Sequence, residues 1–191
     1  MKKDIGAKTI LFPTPVLVVT TYDNIGNANA MTAAWGGICC SDPPCVTVSL
    51  RKARYTYTSI MEKKAYTINI PGKSHAKEVD YFGFASGKNE DKFAKTGLTP
   101  IRSEFVDAPY IDEFPINLEC KVVHIIQLGV HTQFVGEIVN VKIDDAIIEN
   151  DQTPMIEQIM PLIYAPNSNN YYTVGEEIGK AFSIGKAVKR G

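Results

Sequence analysis

The chain has 191 residues, of which 45% are hydrophobic and 21% are charged. This composition is typical of a globular domain and argues against a disordered segment. Twenty basic and twenty-one acidic residues give a formal net charge of -1, which argues against a nucleic-acid-binding protein because such proteins usually carry a basic excess or stripe. The length suits a single domain over residues 1–191.

The sequence contains no apolar run of the length that a targeting segment or a membrane span requires. The longest run near the N-terminus, residues 16–19, has the size of a strand and is far shorter than a membrane span. We therefore expect a cytoplasmic protein that has neither a membrane partner nor a nucleic-acid partner.

Four cysteines, Cys39, Cys40, Cys45 and Cys120, lack the spacing of a zinc site, and no histidine pair supports them. Free cysteine commonly packs as a small hydrophobe, so buried core residues are the main interpretation and a redox-active thiol is the alternative. Disulfides are not expected in a cytoplasmic chain. The sequence also lacks a phosphate-binding loop, a dinucleotide fingerprint and a nucleophile elbow, so we expect no metal and no catalytic side chain.

The first part of the chain alternates strand patterns with turns. Residues 15–22 are β-branched and apolar and predict a buried strand, and 29–35 predict the return strand of a hairpin. Residues 46–50 alternate apolar and polar side chains, as a half-buried strand does. A short helix is predicted over 55–64, and alternation returns over 65–70.

The remainder predicts a helical insertion between strands. Residues 74–96 predict two helical pieces that are split near Ser86, and 116–122 show the cleanest alternation in the chain. Another strand is predicted over 134–143, with a bulge near Gly136. This order differs from the strand–helix repeat of a parallel sheet, so we predict a mainly β, antiparallel barrel with a few short helices.

Five short motifs, in order and with matching spacing, resemble those of the flavin reductase-like, FMN-binding split-barrel family. The motifs are N-x-M-T-x-x-W at 29–35, a strand at 48–51 followed by R-x-T-x-x-x-I at 54–60, F-x-x-N-x-P at 66–71 with tyrosine replacing phenylalanine, S-G-x-x-x-D-K-F at 86–93, and G-x-H-x-x-F-x-G-E at 129–137. The resemblance extends over residues 10–185, is greatest to the flavoredoxin branch, and implies an antiparallel split β-barrel of Greek-key type that binds FMN.

The phosphate of FMN is dianionic and is favoured by cations, hydroxyls and backbone N–H groups. The resemblance places Arg54, Thr56, Ser86 and Lys92 around this phosphate, with Gly87 beside them in the motif. For Arg54 and Lys92 the alternative is a solvated surface charge. We expect Thr56 and Lys92 at a phosphate site that is accessible to solvent.

The flavin ring needs a slot of flat or small side chains with a few hydrogen bonds at its edge. Residues of two predicted strands suit this slot: Met31, Thr32, Ala33, Ala34, Trp35, Ser49, Leu50 and Arg51. Asn29, His131 and Tyr164 complete the predicted cofactor-binding set. Alternatives remain for three members, since Trp35 also suits a core or dimer-interface anchor, Asn29 a strand turn, and His131 a structural role.

Hydride and electron transfer are chemistry of the flavin, so such a protein needs little acid–base machinery of its own. The resemblance implies a homodimer that receives electrons from NAD(P)H or from a redox protein, and the sequence does not separate an enzyme from an electron carrier. The alternative function is a barrel without a redox role that binds flavin or an oligonucleotide.

Overall fold

The computed structural model describes residues 1–149 and 153–190. Within these residues the chain forms twelve β-strands and four α-helices. The strands are β1 (Thr14–Pro15), β2 (Leu17–Tyr22), β3 (Ala28–Ala33), β4 (Gly36–Ser41), β5 (Pro44–Arg51), β6 (Ala65–Ile70), β7 (Pro100–Arg102), β8 (Pro109–Ile111), β9 (Ile116–Leu128), β10 (His131–Ile143), β11 (Leu162–Ala165) and β12 (Asn170–Thr173). The helices are α1 (Tyr55–Lys63), α2 (Ala76–Phe84), α3 (Lys92–Thr96) and α4 (Ile156–Ile159), and short 3₁₀ segments lie at Lys73–His75, Asp145–Ile147 and Ile184–Arg190.

Seven strands form one antiparallel sheet in the order β3-β2-β6-β9-β10-β5-β4. The long β9–β10 hairpin lies at its centre, and β2 and β5 attach to strands that are distant from them in the chain. The hydroxyl of Tyr66 on β6 donates to the carbonyl of Val46 on β5 at 3.2 Å, which joins two strands that are not neighbours in the sheet. The predicted mainly β, antiparallel barrel is confirmed.

The inner face of the sheet carries the main hydrophobic core. Val46, Val48 and Leu50 alternate along β5 and are buried, as the sequence pattern predicts, and they pack with Ile60 of α1 and Phe134 of β10. Burial of this apolar face is what fixes the register of each strand, because a slip of one residue would turn every apolar side chain outward.

The outer face of β2, β6 and β9 carries buried polar side chains that we call the polar layer: Thr20, Thr67, Asn69 and Asn117. The Asn69 amide oxygen accepts from the Asn117 amide at 2.8 Å and from a backbone N–H of β8 at 2.9 Å. The Thr20 and Thr67 hydroxyls lie 2.5 and 2.7 Å from one backbone carbonyl of β8. The polar layer therefore attaches the β7–β8 hairpin to the sheet, and Asn117, on the polar side of the predicted 116–122 strand, is buried against that hairpin.

The helices follow the sequence pattern closely. α1 ends where Lys64 adopts the left-handed conformation at φ 53°. The predicted break near Ser86 separates α2 from α3, and the Asp91 side chain caps α3 by accepting from the Ala94 N–H at 3.0 Å. No helix in the described part of the chain is both long enough and apolar enough to cross a membrane.

The strand predicted over 29–35 ends earlier, and a strand that the sequence did not predict follows it. β3 stops at Ala33 and β4 begins at Gly36. A Cβ at Gly36 would collide with the backbone carbonyl of Thr47 on β5, so the chain passes close to β5 here and glycine is required. The bulge predicted near Gly136 is confirmed by a register shift between Val135 and Gly136.

Candidate functional site

Residues from four strands, β3, β5, β10 and β11, and from two connections surround a cavity of about 170 Å³. All of the residues that line it belong to the cofactor-binding set predicted from sequence: Met31, Thr32, Ala33, Ala34, Trp35, Ser49, Leu50, Arg51, Arg54, His131 and Tyr164. The structure thus brings together positions that are up to 133 residues apart in the chain, and Arg51 and His131 are direct cross-strand partners on β5 and β10.

This cavity continues into two others, and we call the three together the groove. Residues 32–34 and Tyr164 also border a cavity of about 320 Å³, and Ala34, Trp35, Ser49 and His131 also border one of about 500 Å³. Ligand pockets for small molecules typically measure roughly 300–1,000 Å³. The central cavity alone is small on this scale, whereas the groove has room for an extended cofactor.

One side of the groove is made of backbone and small side chains. β3 is an edge strand of the sheet, so its outer N–H and C=O groups have no strand partner. Ala33 and Ala34 carry only methyl groups at this point, which lets a flat ring approach the backbone closely. This is a suitable wall for a ring that carries donors and acceptors along its edge.

Two arginines make one part of the central cavity cationic, and we call this part the cationic end. Arg51 and Arg54 border it and are exposed to solvent. Arg54 is also the N-cap residue of α1, and its side chain makes no capping hydrogen bond, so the first backbone N–H groups of α1 are not capped by a side chain. Two guanidinium groups beside an uncapped helix N-terminus form a favourable site for a phosphate.

Lys92 lies behind this cationic end rather than in it. Its ammonium donates to the backbone carbonyls of Ala30 on β3 (2.6 Å) and Phe82 on α2 (3.2 Å), and the residue is only 4% exposed. Burial, and then the nearby Arg54 charge, lower the pKa of Lys92 to about 8. The expectation that Lys92 is accessible to solvent is therefore wrong.

Thr56 is equally buried, at 1% exposure, and its hydroxyl accepts from the Asn29 side-chain amide at 2.8 Å. The expectation of solvent access is wrong for Thr56 as well. The buried Asn29 Oδ1 has no hydrogen-bond partner among the described residues. We call Asn29, Thr56 and Lys92 the support cluster, because they hold the start of β3 against α1, α2 and α3.

Ser86 and Gly87 adjoin the support cluster instead of lining the central cavity. A Cβ at Gly87 would collide with Asn29 Oδ1, so the loop backbone lies directly against that amide and only glycine fits. The Ser86 hydroxyl accepts from the Lys88 N–H at 3.3 Å and belongs to its own turn. Asn29 and Gly87 also border a polar cavity of about 590 Å³ on this side.

The groove includes residues that sequence reasoning missed. Asp80 and Phe84 of α2, together with Asn169 and Tyr171, line the cavity of about 320 Å³. Tyr171 stands beside Tyr164 across the β11–β12 hairpin, and burial followed by the Asp80 charge raises its pKa to about 12. The asparagine-rich turn at 167–170 separates segments that carry Tyr164 and Tyr171. Such a turn predicts a hairpin and could have identified Tyr171 from the sequence. Nothing in the sequence distinguishes Phe84.

The cysteines divide into two classes. Cys45 and Cys120 are buried, as expected, whereas Cys39 and Cys40 are exposed on β4. The interpretation of all four as buried core residues is therefore wrong for these two. In the described residues, no group of three histidine, cysteine or acidic side chains is arranged to hold a metal ion.

The sequence profile of the "Flavin reductase like domain" family matches residues 9–173. The chain belongs to the flavin reductase-like family. Flavoredoxin of Desulfovibrio vulgaris (Miyazaki F) is 53% identical, with 97% of this chain and 100% of that chain covered and a TM-score of 0.93. Flavoredoxin from Methanosarcina acetivorans is 29% identical, with 98% and 100% covered and a TM-score of 0.91. An uncharacterised protein of Archaeoglobus fulgidus is 35% identical over 132 residues, which are 69% of this chain and 75% of that protein.

Membership of the flavin reductase-like family identifies a flavin-binding redox protein. The groove fits such a cofactor, because it joins a flat wall of small residues to a cationic end with uncapped helix amides. These relatives do not favour the alternative of a barrel without a redox role.

Proposed function

We propose that each subunit binds one FMN in the groove and passes electrons through it. The observation that carries this proposal is the position of the α1 N-terminus. The helix begins uncapped at Arg54, at one end of the cavity whose other residues form the flat slot. A terminal phosphate monoester suits this end better than the internal diphosphate of a dinucleotide, because all three of its free oxygens accept hydrogen bonds from converging donors.

The proposed contacts divide between direct and supporting residues. Arg51, Arg54 and the first N–H groups of α1 would hold the phosphate, while Thr56 and Lys92 position β3 and α1 from behind. The ring would lie against residues 31–35. Ser49 and Leu50 would contact the ring from β5, and Tyr164 would contact it from β11. Asn29 is proposed to fix the start of β3 and to offer its free Oδ1 towards the polyol chain.

The bound flavin would supply hydride and electron transfer, and the protein would supply position and electrostatics. We propose that His131, which lines the central cavity, donates a hydrogen bond to the ring edge. This bond would favour negative charge on the ring. The electron donor is proposed to be NAD(P)H or a reduced redox protein.

A spectrum of the purified protein tests the cofactor directly. We expect flavin absorbance, and we expect mass spectrometry of the released chromophore to identify FMN and not FAD. A protein that is colourless as purified and does not bind added FMN contradicts the proposal. Stopped-flow mixing with NADH, NADPH and a reduced ferredoxin then distinguishes an enzyme from a carrier, since only a donor that bleaches the flavin is competent.

We also propose a homodimer. The β9–β10 hairpin exposes a row of apolar side chains to solvent: Val123, Ile126, Leu128, Val130, Val139 and Val141. Exposed apolar surface of this extent is typical of an interaction site, and it adjoins the groove at Leu128. Light scattering should give twice the mass of the 21.0 kDa chain. The cytoplasmic location expected from the sequence stays a prediction.

A further inference from the structure

The tip of the β4–β5 hairpin concentrates three of the four cysteines. Cys39 and Cys40 lie near the end of β4, and Cys45 is the second residue of β5. Cys40 and Cys45 are direct partners in the antiparallel register, and the bulge between Ile38 and Cys40 inserts Cys39 beside them. None of the three borders the groove, so the proposed flavin site does not use them.

The register pairs Cys40 directly with Cys45. Directly opposed residues of an antiparallel pair have Cα atoms about 4.5–5.5 Å apart and side chains on the same face. Disulfides need Cα separations of roughly 4.4–6.8 Å. β4 is an edge strand of the sheet, so it can move towards β5 without breaking a second strand pairing. Cys40 and Cys45 therefore meet the geometric requirement.

The two thiols differ in access to solvent. Cys40 is exposed, whereas Cys45 is 6% exposed. Burial raises the pKa of the Cys45 thiol, and the adjacent Cys40 and Cys39 sulfurs raise it further. A reagent in solution thus reaches Cys40 before Cys45, and Cys45 is placed to react with a group that is already on Cys40.

We propose that Cys40 and Cys45 form a reversible dithiol–disulfide site for low-molecular-weight disulfides. The Cys40 thiolate attacks one sulfur of the disulfide RSSR, which forms a mixed disulfide and releases one RS⁻. The Cys45 thiolate then attacks the Cys40 sulfur, which forms the Cys40–Cys45 bond and releases the second RS⁻. The protein loses two electrons and two protons, and RSSR gains them as two thiols.

The position of the pair makes this bond easy to reverse. Only residues 41–44 lie between the two cysteines, so the disulfide would remove little entropy from the unfolded chain. The hairpin tip is exposed at residues 39–44, so a reducing thiol can also reach it. Both properties suit a bond that forms and breaks with the redox state of the solution.

Oxidised glutathione is the probe for the test, and the flavin-loaded protein is treated with it at pH 7 and pH 9. We expect the intact mass to fall by the mass of two hydrogen atoms. The Cys40–Cys45 disulfide should form faster at pH 9, because the Cys45 thiol must lose its proton. Trypsin cleaves after lysine and arginine, and residues 9–50 contain neither, so residues 9–51 form a single tryptic peptide. Cleavage before Asp42 separates Cys40 from Cys45, and a disulfide should hold the two fragments together until reduction.

Three serine variants decide the assignment. C45S should stop at a glutathione adduct on Cys40, and C40S should form no intramolecular bond. C39S is the matched control and should form the Cys40–Cys45 disulfide as the parent protein does. Any of three results would overturn the proposal: C39S does not form the intramolecular disulfide, a Cys39–Cys40 bond forms, or a disulfide-linked dimer is found on a non-reducing gel. An unchanged far-ultraviolet spectrum of each variant excludes misfolding as the reason.

Discussion

The polar layer and the support cluster are built from the same kinds of side chain, yet they differ in what they leave unpaired. The polar layer directs its amides and hydroxyls to the backbone of β8 and to one another, and each member has a partner within the chain. The support cluster leaves Asn29 Oδ1 without one and stands behind a helix N-terminus that no side chain caps. A closed network serves the fold, whereas an open one next to a cavity is available to a ligand.

An unpaired buried oxygen alone does not identify a ligand site. Glu119 on β9 is fully buried, and its Oε1 also lacks a partner among the described residues. The support cluster differs because Asn29 borders a polar cavity of about 590 Å³ on one side, while β3 continues into the groove on the other. It is the combination of open hydrogen-bonding capacity with accessible space that indicates function.

The largest effect is expected where the closed network is broken. Asn69→Ala removes a side chain that makes five hydrogen bonds and leaves several buried partners unsatisfied. At about 1–3 kcal/mol for each unsatisfied group, with partial relaxation, we expect the free energy of unfolding to fall by about 3–5 kcal/mol. Urea titration measures this, and Asn170→Ala, exposed on β12, is the control. A loss no larger than that of the control would show that the polar layer contributes nothing to stability.

Lys92→Met should follow in size, because it leaves two backbone carbonyls without their donor. We expect a loss of about 2–3 kcal/mol at pH 7. The pKa of Lys92 is about 8 in the folded protein and about 10.5 when it is unfolded, so between these values the unfolded chain binds more protons. Stability must then rise with pH in the parent protein relative to the variant.

Urea titrations of both proteins at pH 7 and pH 10 measure this difference. The stability gap between parent and Lys92→Met should widen at pH 10, since only the parent carries the titrating group. A constant gap would mean that Lys92 keeps an ordinary pKa despite its burial.

Arg54→Gln tests the open side of the comparison and should separate binding from stability. Its guanidinium is exposed and makes one long hydrogen bond, to the Gly83 carbonyl at 3.5 Å, so the free energy of unfolding should change by less than about 0.5 kcal/mol. Loss of a charge-assisted bond to phosphate, about 1.5–3 kcal/mol, should weaken FMN binding by roughly 10- to 100-fold. Lys52→Gln is the matched control, because Lys52 is exposed two residues away and does not line the groove. Equal effects of the two variants on FMN fluorescence titrations would reject a phosphate site at Arg54.

The sequence predicted the fold and the lining of the central cavity better than it predicted the role of each cation. Strand alternation identified β5, β6, β9 and β10 because each presents an apolar face to the core. The same patterns could not show that Lys92 and Thr56 are buried, because their burial arises where α3 and α1 pack on β3, through contacts between residues 62 and 27 positions apart in the chain. Edge strand β4 was missed for a related reason: its exposed cysteines and glycines carry no alternation.

The smallest expected effect belongs to His131, which pairs with Arg51 on β5 and with Leu128 on β9 and which we propose lies at the ring edge. A hydrogen bond that strengthens when the ring becomes negative favours the reduced flavin, so His131→Ala should lower the two-electron reduction potential. A differential bond of about 1 kcal/mol corresponds to roughly 20 mV. His124→Ala is the control, because His124 is exposed on β9 and does not line the groove. Anaerobic titration against a reference dye resolves such a shift, and equal potentials for the two variants would assign His131 a purely structural role.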